Sequence, residues 1–378
     1  MKDLGLYIHI PFCNKKCYYC DFLSFSNKDH KVEEYINALI LELSLYIDKL
    51  KDYKIRTIFI GGGTPSLIDP RYVERLLQFI YKSFNANDIE EVTIEVNPGT
   101  LTSYKAQIYK RIGVNRVSIG LQSFNDQILK SIGRTHSVDD FYESYEILQK
   151  VGFDNINIDM IFGLPNQDID NIRYDLRRIS QLDIKHLSYY SLIIEPNTPM
   201  YKWYEEDKLV LPNEVEERQM YYTILGELKK YGYKHYEISN FAQENYECQH
   251  NNIYWQVNPY LGVGIGSHSN LEGKRFWNIN KLDRYIEKIE NYTLALAGEE
   301  IINKNMEIAE YCILGIRFVE GISLSKFKER FGIHINNIYK NVIQKNMAKG
   351  LLYNKGDYIR LTPKGLDLAN QVEVDFLP

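Results

Sequence analysis

Through the first half of the chain, short apolar runs rich in β-branched residues alternate with longer stretches in which apolar residues recur every three or four positions. The runs Leu6 to Ile10, Thr57 to Ile60, Val92 to Val96, Arg116 to Gly120, Asn155 to Phe162 and His186 to Leu192 predict six strands. Between them, Val32 to Leu50, Pro70 to Phe84, Ser103 to Ile112, Val138 to Val151 and Ile169 to Leu182 carry the helical period. Strands separated by helices rather than tight turns are joined by crossovers, so the alternation predicts a parallel sheet wrapped by helices.

After residue 200 the pattern changes. Asn213 to Tyr231 reads as a long helix ended by Gly232. A stretch expected to be loop-rich follows, containing Tyr236 to Ala242, His250 to Trp255 and Gly262 to Ser269. It is aromatic, histidine-bearing and punctuated by glycine, a composition suited to walling a planar apolar ligand. From about Asn303 the chain reads as helices, a short hairpin around Asn354-Lys355-Gly356-Asp357 and a final helix beginning near Thr362-Pro363, which together resemble a winged-helix module. The expected division is residues 1–230, 231–300 as a connecting region, and 301–378.

Composition narrows the classes. With 378 residues, 44% hydrophobic and 25% charged, the chain has ample length for a buried core and the make-up of a soluble globular protein. A net charge of -5 argues against a general electrostatic grip on nucleic acid. Five cysteines, an odd number, do not suit a secreted disulfide framework. No run of about 20 apolar residues could span a bilayer and no leader is expected, leaving at most peripheral membrane contact and a cytoplasmic location.

The distinctive residues fall at the ends of the predicted strands. Cys13, Cys17 and Cys20 follow the first, Gly61-Gly62-Gly63-Thr64-Pro65 the second, and Glu95 with Asn97-Pro98 closes the third. Gln122 follows the fourth, Asp159 with Gly163-Leu164-Pro165 ends the fifth, and Glu195-Pro196-Asn197 follows the sixth. In barrel-like α/β folds the carboxyl ends of the strands build the ligand site. The glycine run lacks the spacing of a phosphate-binding or dinucleotide loop, and taken alone reads equally well as a tight turn. Asp159 lies in a mostly apolar strand, where an unpaired carboxylate would be costly.

Three of the five cysteines lie within eight residues at C-x3-C-x2-C spacing, immediately after an apolar run. Thiolates bind soft metal centres, and three of them with no fourth nearby would leave one coordination position free. A structural zinc site with a distant fourth ligand is the plainer alternative, although Cys248 and Cys312 stand alone and form no second pair.

The loop resembles that of the radical S-adenosylmethionine enzymes, and Tyr7-Ile8-His9-Ile10-Pro11-Phe12-Cys13 with Tyr18-Tyr19-Cys20-Asp21-Phe22 is similar to the branch of oxygen-independent coproporphyrinogen III oxidase and the heme chaperones. The resemblance implies a partial (β/α)6 barrel with a mostly helical, winged-helix-like C-terminal domain. It implies a [4Fe-4S] cluster on Cys13, Cys17 and Cys20 with S-adenosylmethionine on the fourth iron. Motif by motif, it assigns cofactor contacts to Tyr7, Tyr19, Gly62, Gly63, Thr64, Glu95, Gln122, Arg134, Asp159 and Ile193. Those types suit the ligand, since carboxylates pair with an ammonium or ribose hydroxyls and an arginine with a carboxylate.

Two departures separate the branches. The oxidase loop usually continues C-x3-C-x2-C-x-C, whereas Phe22 stands here, and only six residues precede Tyr7. Both argue against porphyrinogen decarboxylation, while cleavage of S-adenosylmethionine stays open. His250-Asn251-Asn252-Ile253-Tyr254-Trp255 matches the H-N-x-x-Y-W signature of the heme chaperones, with His250 as candidate heme contact. The expectation is a heme-binding monomer or homodimer that delivers heme to acceptor proteins such as respiratory enzymes. A porphyrinogen oxidase and a radical enzyme on another substrate are the rivals.

Overall fold

The computed structural model describes residues 1–377. The six apolar runs become β1 (Lys2–Ile10), β2 (Tyr53–Gly62), β3 (Glu91–Val96), β4 (Arg116–Gln122), β5 (Asn155–Phe162) and β6 (His186–Ser191), parallel neighbours in chain order. Helices α1 (Val32–Leu45), α2 (Pro70–Ser83), α3 (Ser103–Arg111), α4 (Asp126–Ser131), α5 (Val138–Val151) and α6 (Ile169–Ile179) lie in the connections. The open sheet is therefore the partial (β/α)6 barrel that the alternation and the resemblance imply.

Local chemistry explains the boundaries. The side chain of Asp69 caps α2 ahead of a proline in its first turn, and Ser137 with Asp140 and Asp168 with Asn171 form reciprocal caps at the starts of α5 and α6. Gly152 ends α5 at φ 88°, a conformation that lacks penalty only without a Cβ. The helix expected to reach Leu50 stops at Leu45, because the chain turns there and returns Tyr46 and Leu50 to the core.

After β6 come α7 (Pro199–Glu205) and α8 (Glu214–Lys230). Residues 231–300 then depart from the expected loop-rich connector. They form β7 (Lys234–Glu237), β8 (Asn240–Ala242), α9 (Gln249–Trp255), β9 (Tyr260–Val263), β10 (His268–Leu271), β11 (Lys274–Asn278), α10 (Leu282–Glu290) and β12 (Leu296–Ile301). These strands extend the same sheet at both edges, in the order β12-β11-β10-β9-β1-β2-β3-β4-β5-β6-β8-β7, with β9 parallel to β1. Strands of three to six residues that mix glycine, polar and aromatic side chains are too short to display a period, so their pairing is set by the sheet they join.

The C-terminal unit is mostly helical: α11 (Lys304–Gly315), β13 (Ile322–Ser323), α12 (Leu324–Phe331), α13 (Asn336–Ala348), β14 (Leu352–Lys355), β15 (Tyr358–Leu361), α14 (Pro363–Asp367) and α15 (Ala369–Val374). Its three strands pair in the order β13-β15-β14, around a core of its own that includes Ile308, Phe327, Ile343 and Val372.

Candidate cofactor site

At the carboxyl ends of β2 to β5 a cavity opens whose wall includes Cys13, Cys17 and Cys20. Gly62, Gly63 and Thr64 face that loop. A Cβ on Gly63 would stand 2.7 Å from the Phe12 carbonyl oxygen and 3.0 Å from Cys13 Sγ, so glycine alone permits this approach. Gly62, at φ 116°, meets the His9 ring in the same way. The Thr64 hydroxyl lies 3.5 Å from Cys13 Sγ and accepts a hydrogen bond from the Asn97 amide at 2.8 Å.

Arg134 ties the loop to the strands. Its guanidinium donates to Cys17 Sγ at 3.6 Å, to Asn97 Oδ1 at 2.8 Å and to the Gly120 carbonyl at 2.5 Å. Its Nε is buried without a partner, as is Oε1 of Gln122. Gln122 adopts φ 71° where the β4 register slips between Gly120 and Gln122, so backbone strain is concentrated at the cavity wall. Two unpaired polar atoms beside a strained strand end are what a polar ligand would satisfy.

Two carboxylates share the floor. Glu95 accepts from the Gly62 amide at 3.0 Å, and Asp159 accepts from Ser118 at 2.8 Å and Asn157 at 2.9 Å. Burial, and secondarily the charge of Asp159, push the Glu95 carboxyl up to about 8; burial also raises that of Asp159. An ammonium or ribose hydroxyls arriving here would relieve that penalty. Among the described residues no three His, Cys, Asp or Glu side chains converge as around a single ion. Three cysteine side chains on one wall are soft donors of the kind an iron–sulfur cluster takes.

The cavity wall gathers Tyr19, Gly62, Gly63, Thr64, Glu95, Gln122, Arg134 and Asp159 with the three cysteines. Tyr7 lines an adjoining cavity, where its hydroxyl lies 2.9 Å from His9 Nδ1. Ile193 is 66% exposed on the loop after β6 and is not part of the wall. Asn97, singled out at the third strand end, also lines it, as do Ser118 and Tyr190, which sequence reasoning missed. Ser118 and Tyr190 sit two residues from Gly120 and Ser188 on inward faces, and the two-residue strand period was the available signal.

His250, the candidate heme contact, lies outside this cavity. It is 1% exposed beneath β1 and β2, with Nδ1 2.7 Å from Thr57 Oγ1 and Nε2 2.8 Å from the Tyr254 hydroxyl. The α9 amides of Gln249 and His250 donate to Glu91, and Trp255 receives the Arg317 guanidinium at 4.7 Å from its ring centre. The H-N-x-x-Y-W stretch thus plugs the amino-terminal end of the barrel and joins it to the C-terminal domain. Burial holds the His250 imidazole neutral, at about 3, and both nitrogens are engaged. This differs from a ring open to a porphyrin, because the short helix turns its polar residues inward onto Glu91 and Thr57.

Residues 7–179 match the Radical SAM superfamily and residues 302–368 the HemN C-terminal domain. Fold and cysteine loop together define a protein of the radical S-adenosylmethionine superfamily. Heme chaperone HemW of Bacillus subtilis is 36% identical, with 98% of each chain covered, and that of Lactococcus lactis is 38% identical over 100% of this chain and 98% of its own. The Escherichia coli heme chaperone HemW is 37% identical over 72% of this chain and 71% of its own. The chain belongs to the HemW heme chaperone family. Coproporphyrinogen III oxidase (HemN) from Escherichia coli shares the fold at a TM-score of 0.86, with 22% identity, 99% of this chain and 90% of that one covered.

Proposed function

We propose that this protein is a heme chaperone that carries a [4Fe-4S] cluster and S-adenosylmethionine and passes heme to acceptor hemoproteins such as respiratory enzymes. Family membership supports the heme role. The observation that carries the cofactor reading is the Cys13-Cys17-Cys20 loop lying against Gly63 and Arg134, with Glu95 and Asp159 across the cavity. Cys13, Cys17 and Cys20 would hold the cluster, which when bound supplies one electron and an open iron.

This chain's own residues bind and orient. Arg134 fixes the Cys17 side of the loop through Asn97 and Gly120, and Thr64 does the same for Cys13. Glu95 and Asp159 offer charge to an ammonium or to hydroxyls, and Tyr19 with Ile161 supplies wall that excludes water. No helix among the described residues is long and apolar enough to cross a membrane.

Anaerobic reconstitution followed by iron and sulfide analysis tests the cluster: about four of each per chain are expected, and none after Cys13, Cys17 and Cys20 are all replaced by serine. Zinc in their place, or a cluster that persists in the triple variant, overturns the assignment. Heme titration and transfer to an apo-hemoprotein test the chaperone role. Conversion of coproporphyrinogen III to vinyl product above a control lacking S-adenosylmethionine overturns it in favour of the oxidase.

A further inference from the structure

Two histidines, His9 and His268, stand near the cavity face, and His250 lies at the opposite end of the barrel. His9 bonds Tyr7 at 2.9 Å and the Leu23 carbonyl at 2.8 Å, and His250 is engaged at both nitrogens. His268 is different. Among the described residues its ring makes no hydrogen bond, and it lies at 19° to the Trp277 ring with 5.7 Å between centres. The two are cross-strand partners on β10 and β11, and Trp277 in turn pairs with Gly298 on β12. A Cβ at Gly298 would stand 2.5 Å from Trp277 Cζ2, so glycine leaves the indole room to lie flat. The result is an imidazole without a hydrogen bond, packed nearly parallel to an indole.

His268 lies at the junction of two cavities. One, of about 670 Å³, is walled by Tyr7, His9, Tyr254 and Tyr260 and reaches Glu95 and Gly62 of the cofactor site. The other, of about 600 Å³, is walled by Trp277, Lys281, Arg284 and Lys288. Either is large enough for a drug-sized planar molecule. Lys281 directly precedes α10, and Arg284 and Lys288 lie one helical turn apart on it; the one ion pair of that helix among the described residues is Lys31–Asp283, at 3.8 Å. With Lys16, four cations that form no ion pair among the described residues therefore border the second cavity, against one carboxylate in its wall, Asp21.

We propose that His268, and not His250, is the axial ligand of a dianionic metalloporphyrin, with Trp277 packed against the imidazole to hold it in place and the porphyrin carboxylates on Lys281, Arg284 and Lys288. This rests on the heme reading above. It gives the ligand a nitrogen donor and a basic edge, and puts it next to the cofactor cavity.

Hemin titration of the full chain tests it, with Soret position and Kd as readouts. His268→Gly should shift the Soret band and weaken binding, and added imidazole should restore the wild-type spectrum, which a merely structural role would not allow. His250→Ala should keep the wild-type spectrum wherever the variant retains its melting temperature. An unchanged spectrum in His268→Gly overturns the inference and leaves the heme reading intact. Absence of saturable binding by the wild type overturns the heme reading itself. Arg284→Glu with Lys288→Glu should weaken hemin by about twofold to fivefold per charge while leaving hemin dimethyl ester unaffected; equal effects on both, or none, would overturn the carboxylate assignment.

Discussion

Glu95 shows how one residue's surroundings set its chemistry. Its carboxyl, lifted to about 8 by burial and then by Asp159, is mostly protonated at neutral pH and must ionise to meet a cation. Proton release on binding makes affinity rise with pH. For wild-type protein reconstituted anaerobically, affinity for S-adenosylmethionine should tighten between pH 6.5 and 8, by up to about tenfold per pH unit, and then level off. Glu95→Gln should bind more weakly and lose that slope in calorimetric titrations. A slope that persists in the variant would assign the proton to another group. Residue types and their strand-end positions made Glu95, Asp159 and the cysteines legible beforehand. The partners of His250 were not, because Thr57 lies 193 positions away in sequence.

Elements carry these residues into register, and α6 is fastened by a buried acid. Asp175 on α6 accepts from the Phe124 amide at 3.0 Å and from Ser123 at 3.3 Å, anchoring the helix to the chain that leaves β4. Burial raises its carboxyl to about 7, so the folded state keeps a proton that the unfolded chain releases near 4. Its contribution to stability therefore falls as pH rises from about 4 to about 7 and is level above that. The difference in unfolding free energy between wild type and Asp175→Asn should shrink across that window in urea titrations; a difference constant with pH would refute the assignment. The helical period around Asp175 was visible in the sequence, but not that its side chain would turn inward.

On the scale of the molecule, the C-terminal domain is clamped to the barrel through α9. Arg330 donates to the carbonyl oxygens of Gln256 and Val257, both at 2.7 Å, and Arg317 covers Trp255. Each hydrogen bond from a charged donor is worth about 1.5–3 kcal/mol. Arg330→Ala with Arg317→Ala should lower the stability of the junction by about 2–4 kcal/mol, seen as a second calorimetric transition or earlier proteolysis near residue 302. A single transition at the wild-type temperature would mean that other contacts suffice. The separate core around Phe327 and Val372 makes the split transition physically reasonable.

Periodicity, capping residues and the cysteine spacing were enough to determine the parallel half-barrel, the strand ends where its chemistry gathers and the family, because each depends on residues close together in the chain. Tertiary structure alone decided that residues 231–300 complete the sheet, that the H-N-x-x-Y-W stretch closes its floor and that His268 keeps its nitrogens free. Short edge strands and buried polar partners acquire their environment only when distant segments meet. A sequence pattern records what a residue can bond, and packing determines which of those bonds are already taken.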